Sequence, residues 1–215
     1  MNAEGGSRTK VSDYSVRRLS VYHRILDELK ASGTAVVSSA RLASLAGTNS
    51  AQIRKDLSYF GTFGKRGSGY PVVELRRRIL EILGLTRTWK VALVGAGNLG
   101  HALFSYREFG RYGFDFVAVF DNDPSKIGTV WEDIVIAPFH QCEEVLLASG
   151  AELALITTPA AVAPEVAERL SRGGVRGILN FAPVRIESPP GVWVRSFNIT
   201  VELESLSYAL RNSVA

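Results

Sequence analysis

The stretch KVALVGAGNLGHAL, residues 90–103, decides how this chain folds. Four apolar residues, Val91 to Val94, run directly into Gly95-Ala96-Gly97-Asn98-Leu99-Gly100, and a helix-forming segment follows. In a strand-turn-helix that meets a dinucleotide, each glycine has its own steric task. Gly95 makes the turn, Gly97 lets the backbone approach a pyrophosphate, and Gly100 allows the helix to pack close to the strand. The helix N-terminus then receives the negative charge. A glycine fingerprint alone is common, and its context gives it weight: a second apolar strand over 116–120 ends in Asp121, 21 residues after Gly100. There a carboxylate can accept hydrogen bonds from both hydroxyls of an adenosine ribose. Its charge repels a 2′-phosphate, which favours NAD+ and NADH over their phosphorylated counterparts. Lys126, in the DPSK segment that follows, is the residue that argues the other way, although a cation in a turn leading into a helix reads more simply as a surface charge.

Toward the C-terminus, apolar strands are expected over 153–157, 177–180 and 192–195, with a helix over 164–171 between the first two. Such alternation with near-continuous apolar strands predicts an α/β fold, a parallel sheet of Rossmann type covered on both faces. The loops Thr157-Thr158-Pro159 and Asn180-Phe181-Ala182-Pro183 follow strand ends, at the edge where such sheets bind ligands, although a proline there also serves simply to end a strand. The candidate cofactor contacts are therefore the loop 95–100, Asp121, Thr158, Pro159 and Asn180.

Toward the N-terminus the pattern becomes helical. Leu19, Tyr22, Ile25, Leu26 and Leu29 form one apolar stripe over 15–30, which Ser32-Gly33 ends. Ser38 or Ser39 can cap a short second helix, Gly47 breaks it, and Asn49 or Ser50 caps a third that runs to about Phe60. Two helices joined by a short turn are the helix-turn-helix layout. Ile53, Leu57 and Phe60 must face the core, which turns Gln52, Arg54, Lys55, Ser58 and Tyr59 outward; with Ser50 these are the candidate DNA contacts. Gln suits adenine edges, Arg suits guanine, and Lys, Ser and Tyr suit phosphates. The glycine-rich run FGTFGKRGSGYPV, residues 60–72, predicts a hairpin wing with Lys65 and Arg66 at its tip, placed to enter a minor groove or lie on phosphates. Pro71 then starts a fourth helix that Gly84 ends, and its Arg76-Arg77-Arg78 run reads as a solvated face.

Charge separates the two halves. Residues 1–90 hold 16 Lys and Arg against 7 Asp and Glu, a net of +9, while the remainder holds 9 against 14. The basic half suits a polyanion, and neutralising phosphates supplies much of DNA affinity. A single cysteine, Cys142, excludes an intramolecular disulfide and makes the cytoplasm the expected compartment, with no apolar run long enough for a membrane span and no secretory leader. A dehydrogenase needs a proton donor or acceptor at the hydride-accepting carbon. His23, His101 and His140 fall in no catalytic pair, no metal-ligand spacing is present, and the 125 residues after Lys90 leave no room for a substrate domain.

The run IRKDLSYFGTFGKRGSGYPV, the segment VALVGAGNLGHAL with FDNDPSKIG, and GILNFAPV together resemble the Rex redox-sensing transcriptional repressors of bacteria. That resemblance implies a homodimer with paired winged helices on an inverted-repeat operator. Each Rossmann domain would hold NADH or NAD+, with DNA bound in the NAD+ or free state and released by NADH. It places Arg54 and Lys55 on the recognition helix, Lys65 and Arg66 in the wing, the loop 95–100 on the pyrophosphate, Asp121 on the ribose and Tyr106 near the nicotinamide. The C-terminal helix, about 201–210, would swap into the partner. One departure concerns Asn198: similar proteins often have Asp there, able to pair with an Arg of the first helix, Arg24 here, and Asn cannot form that ion pair. The expected organisation is a disordered 1–13, a winged-helix domain over 14–85, a Rossmann domain over 86–200 and a dimerisation helix over 201–215. The expected function is a sensing repressor and no enzyme. An NAD-dependent oxidoreductase with a helical dimerisation domain, and a CoA- or nucleotide-binding domain, remain the alternatives.

Overall fold

The computed structural model describes residues 11–63 and 67–212. Two compact units divide the chain, Met1–Arg87 and Thr88–Ala215. In the first, helix α1 (Asp13–Ala31) opens earlier than its apolar stripe predicts, because the Ser12 hydroxyl accepts from the Ser15 amide and Asp13 suits the first turn. Helices α2 (Ser39–Leu45) and α3 (Ser50–Ser58) are capped by Ser38 and Asn49, whose side chains accept from Arg41 N and Gln52 N. Helix α4 (Val72–Leu83) ends at Gly84. Leu19, Tyr22 and Leu26 of α1 meet Leu42, Ile53, Leu57, Leu75 and Ile79 in one core. Strands β1 (Val36–Val37) and β2 (Tyr70–Pro71) pair antiparallel, Val37 opposite Tyr70. No alternation announces them, since two residues are too few to display a period.

Of the Arg76-Arg77-Arg78 run, Arg76 and Arg78 are tied to other parts of the fold, while Arg77 keeps to the solvated face of α4. Arg76 pairs with Asp27 of α1, Arg77 pairs with Glu74 and Glu81, and Arg78 donates to the Thr62 carbonyl at 2.8 Å while its guanidinium lies 4.8 Å from the Phe63 ring centre.

The second unit is built on seven strands: β3 (Trp89–Val94), β4 (Phe114–Asp121), β5 (Val130–Trp131), β6 (Ile134–Pro138), β7 (Leu153–Ile156), β8 (Gly177–Asn180) and β9 (Trp193–Ser196). They lie in the order β5-β6-β4-β3-β7-β8-β9. Every pairing is parallel except β5 with β6, so the parallel sheet expected from the sequence is present, with one short antiparallel strand added at its edge. The hairpin escaped notice because its turn, Glu132-Asp133, contains no glycine; Glu132 takes a φ of 50° itself. Helices α5 (Asn98–Phe104), α6 (Glu108–Arg111), α7 (Cys142–Ser149) and α8 (Ala163–Arg172) complete the unit, and α9 (Ile199–Asn212) ends it. Successive residues of β3 alternate between faces: Val91 and Leu93 enter one core with Phe104 and Val119, Ala92 and Val94 the other with Leu146, Val166 and Leu170. Helix α9 buries none of its residues.

Candidate functional site

At the C-terminal edge of the sheet, β3 runs into the glycine loop. Gly95 takes a φ of 104°, where a Cβ would also lie 2.9 Å from the Thr157 hydroxyl. Gly100, in the first turn of α5, is fully enclosed, and a Cβ there would come within 2.0 Å of the Gly95 carbonyl oxygen. No side chain fits that gap, which is the close packing of helix on strand that the fingerprint demands. Thr157, after β7, locks the turn by donating to the Gly95 carbonyl at 2.8 Å. Gly97 caps α5, so the amides of its first turn point back toward the loop.

Asp121 ends β4. Its Oδ2 accepts from Ala96 N at 2.7 Å, and its Oδ1 from Asn122 N and Asp123 N at 2.7 and 2.8 Å. Lys126 Nζ stands 3.3 Å from Oδ2. Burial pushes this carboxyl up, but the backbone amides of Asp123 and Ala96 together with Lys126 outweigh burial and hold it below the ordinary carboxylate range. The site therefore presents an anion, fixed against the glycine loop, where a ribose would lie.

These groups border a cleft of about 690 Å³. Gly95, Gly97, Leu99, Asp121, Thr158 and Pro159 of the expected contacts lie in its wall, and the Thr158 hydroxyl is buried there with no hydrogen-bond partner among the described residues. Asn98 is exposed at the start of α5, while Ala96 and Gly100 are enclosed behind the wall. Asn180 is a correction. Its side chain is fully buried, donates to the carbonyls of Ala182 and Val184, and accepts from Ala182 N at 2.9 Å. It shapes the loop whose Phe181 and Pro183 line the cleft, and has no surface left for a ligand. Tyr106 lies outside the cleft wall, half exposed, its ring 5.7 Å from that of Phe109. Sequence reasoning missed Phe139, Val162 and Val166, which supply the apolar wall. Their only signal was apolarity, shared with every core position.

Cys142 is fully buried, and burial with its neighbour Glu143 pushes the thiol up to about 12, so it stays protonated and is no redox handle. Among the described residues no group of His, Cys, Asp and Glu could hold a metal ion, and no helix is long and apolar enough to cross a membrane.

On the first unit, Arg54, Lys55, Ser58 and Tyr59 face outward from α3, with Ser50 and Gln52 half-buried. Arg54 Nη1 donates to Ser39 Oγ at 3.2 Å, and Ser58 Oγ to the Lys55 carbonyl at 2.7 Å. Gln52 does not offer its full amide to a base, since its Nε2 donates to Asp56 at 2.8 Å. Asp56 is the residue that the sequence reading passed over. It is fully buried, with Arg18 Nε and Nη2 each at 2.6 Å and Tyr22 Oη at 2.8 Å. Lys65 and Arg66 fall outside the described residues. Asn198 accepts from Thr200 N at 2.9 Å, and so caps α9 in place of an ion pair.

The outward face of α3 and the cleft at the sheet edge agree with what the chain is similar to. Residues 10–58 match a family described as "Putative DNA-binding protein N-terminus", and residues 86–184 match a CoA binding domain. A redox-sensing transcriptional repressor Rex of Carboxydothermus hydrogenoformans is 49% identical over 94% of this chain and 97% of its own length. The Rex protein of Desulfitobacterium hafniense is 45% identical over 93% and 95%. Among solved structures, the Rex-family repressor RSP in complex with beta-NAD+ and operator DNA superposes with a TM-score of 0.89 at 34% identity, over 95% of this chain and 94% of that one. Its complex with beta-NADH gives 0.86 at 33%, over 95% and 96%. Identity at this level over more than nine-tenths of both chains makes the chain a member of the Rex family of redox-sensing transcriptional repressors.

Proposed function

We propose that this protein is a transcriptional repressor that binds operator DNA through its first unit and reads the NADH/NAD+ ratio through its second. The observation that carries the proposal is the Asp121 carboxylate pinned to the glycine loop by Ala96 N at 2.7 Å, in a chain whose other unit presents an exposed Arg54-Lys55 pair on a capped helix. An ionised acid at that point selects a free ribose, and the 3′-phosphorylated ribose of CoA meets the same repulsion as a 2′-phosphate. The protein is a regulator and not an enzyme, as its relatives are named repressors. The cofactor contacts are the loop 95–100, Asp121, Thr158 and Pro159; Tyr106 is assigned to the nicotinamide on the family resemblance alone. The DNA contacts are Ser50, Arg54, Lys55, Ser58 and Tyr59, the free half of the Gln52 amide, and Lys65 and Arg66.

The working form is a homodimer in the cytoplasm. Helix α9 leaves Leu203, Leu206 and Leu210 59 to 69% exposed on one stripe, a surface that calls for a second copy. NAD+ carries a positive aromatic ring and NADH a neutral one, so a pocket coupled to the dimer arrangement can favour a different spacing of the two reading helices with each. Titration of a labelled inverted-repeat operator tests this. Operator affinity should fall by roughly 5- to 150-fold at saturating NADH and hold at saturating NAD+. Equal affinity with NADH, with NAD+ and with neither overturns the proposal.

A further inference from the structure

A carboxylate offers about four lone-pair directions. In Asp121 four donors already take them: Asn122 N and Asp123 N on Oδ1, Ala96 N and Lys126 Nζ on Oδ2. Three of these are backbone amides of the strand end and the glycine loop, held in place by the fold at 2.7 to 2.8 Å. The fourth is a side-chain ammonium on a flexible stem, at the longest distance, 3.3 Å, with a second acid, Asp123, 3.6 Å away. A ribose hydroxyl that reaches Asp121 must take the place of one donor. Only Lys126 can leave without rebuilding the loop.

Resting on the dinucleotide reading above, we propose that Lys126 determines specificity at the ribose end of the cleft, as a displaceable counter-ion. It vacates Asp121 when the ribose hydroxyls arrive and stays in the cleft wall, where Asn122 and Lys126 both lie. Asp121 alone would repel a 2′-phosphate. The Asp121–Lys126 pair carries no net charge, and an ammonium is a compact point charge well suited to phosphate. The chain therefore rejects NADPH less strongly than its ribose-binding acid implies, and Lys126 sets by how much.

The test is calorimetric titration of the full-length protein with NADH and NADPH at fixed salt. In Lys126→Gln the ratio of the NADPH Kd to the NADH Kd should rise about tenfold or more. Asp121→Asn should narrow that ratio, and Asp121→Asn/Lys126→Gln should reopen it; this pair gives the answer where NADPH binding to the wild type is too weak to read. A ratio that moves less than about threefold in both comparisons overturns the inference. So does an equal rise of both constants, which assigns Lys126 to a group that the two cofactors share. Failure of the wild type to bind NADH overturns the dinucleotide reading and this inference with it, whereas NADH bound with an unmoved ratio overturns this inference alone.

Discussion

Asp56 lies on the inner face of α3, and its burial alone would push the carboxyl up. Hydrogen bonds from Arg18, Tyr22 and Gln52 outweigh that and hold it below the ordinary value of 3.8. The acid therefore binds the reading helix to α1 through a charge, although its partners Arg18 and Gln52 retain some solvent access. Asp56→Ala leaves the buried Tyr22 hydroxyl without its acceptor, and should cost about 2 to 4 kcal/mol of stability. Because the folded value is depressed, the contribution of Asp56 is present above 3.8 and lost as pH falls through the folded value. Urea unfolding of wild type and Asp56→Asn from pH 7 to pH 3 checks the sign: the wild type should lose its advantage over the variant toward the acid end, and a constant gap would refute it. This residue was illegible in the sequence for a plain reason. A charge next to Arg54-Lys55 reads as solvent-facing, and only the position of Asp56 between Ile53 and Leu57 hinted otherwise. Asn180 misled in the opposite sense: its place after a strand end suited a ligand, while its buried amide bonds its own loop and Ser196 of β9.

Helix α3 is where elements become readable. Its cap, its inward stripe of Ile53 and Leu57 and its outward basic pair were all visible as spacing, because capping and amphipathicity are local demands. The glycine loop was legible for the same reason, since the gap above Gly95 admits no side chain at position 100. The hairpin of β5 and β6 was not, and neither were β1 and β2, because short strands are selected by their partners and not by their own periodicity. From the exposed face of α3, Arg54→Ala should lose about 1 to 3 kcal/mol of operator discrimination if its guanidinium leaves Ser39 for a guanine edge, and Lys55→Ala should lower the salt dependence of binding by about one phosphate contact. Fluorescence anisotropy over a series of salt concentrations and mismatched operators distinguishes the two. NADH affinity, measured in parallel, should not move; operator binding unchanged in both variants removes α3 from the interface.

For the molecule as a whole, the two units serve different ligands and must exchange free energy for sensing to occur. If NADH weakens operator binding by some factor, the operator must weaken NADH binding by the same factor, since linkage is reciprocal. NADH titrations with and without operator at one ionic strength, set beside operator titrations with and without NADH, should give equal factors. Unequal factors would mean that the two titrations do not measure the same species.

If the homodimer proposed above pairs through α9, its uncovered stripe has a genetic consequence. A subunit offers Leu203, Leu206 and Leu210 to whichever copy it meets, and cannot tell a sound partner from one whose α3 has lost Arg54 and Lys55. In a cell that makes both in equal amounts, random pairing leaves only about a quarter of dimers with two working reading helices. On that pairing an allele damaged on α3 alone would be dominant over the normal one, whereas an allele that lacks α9 would be recessive, because its product would not join a pair.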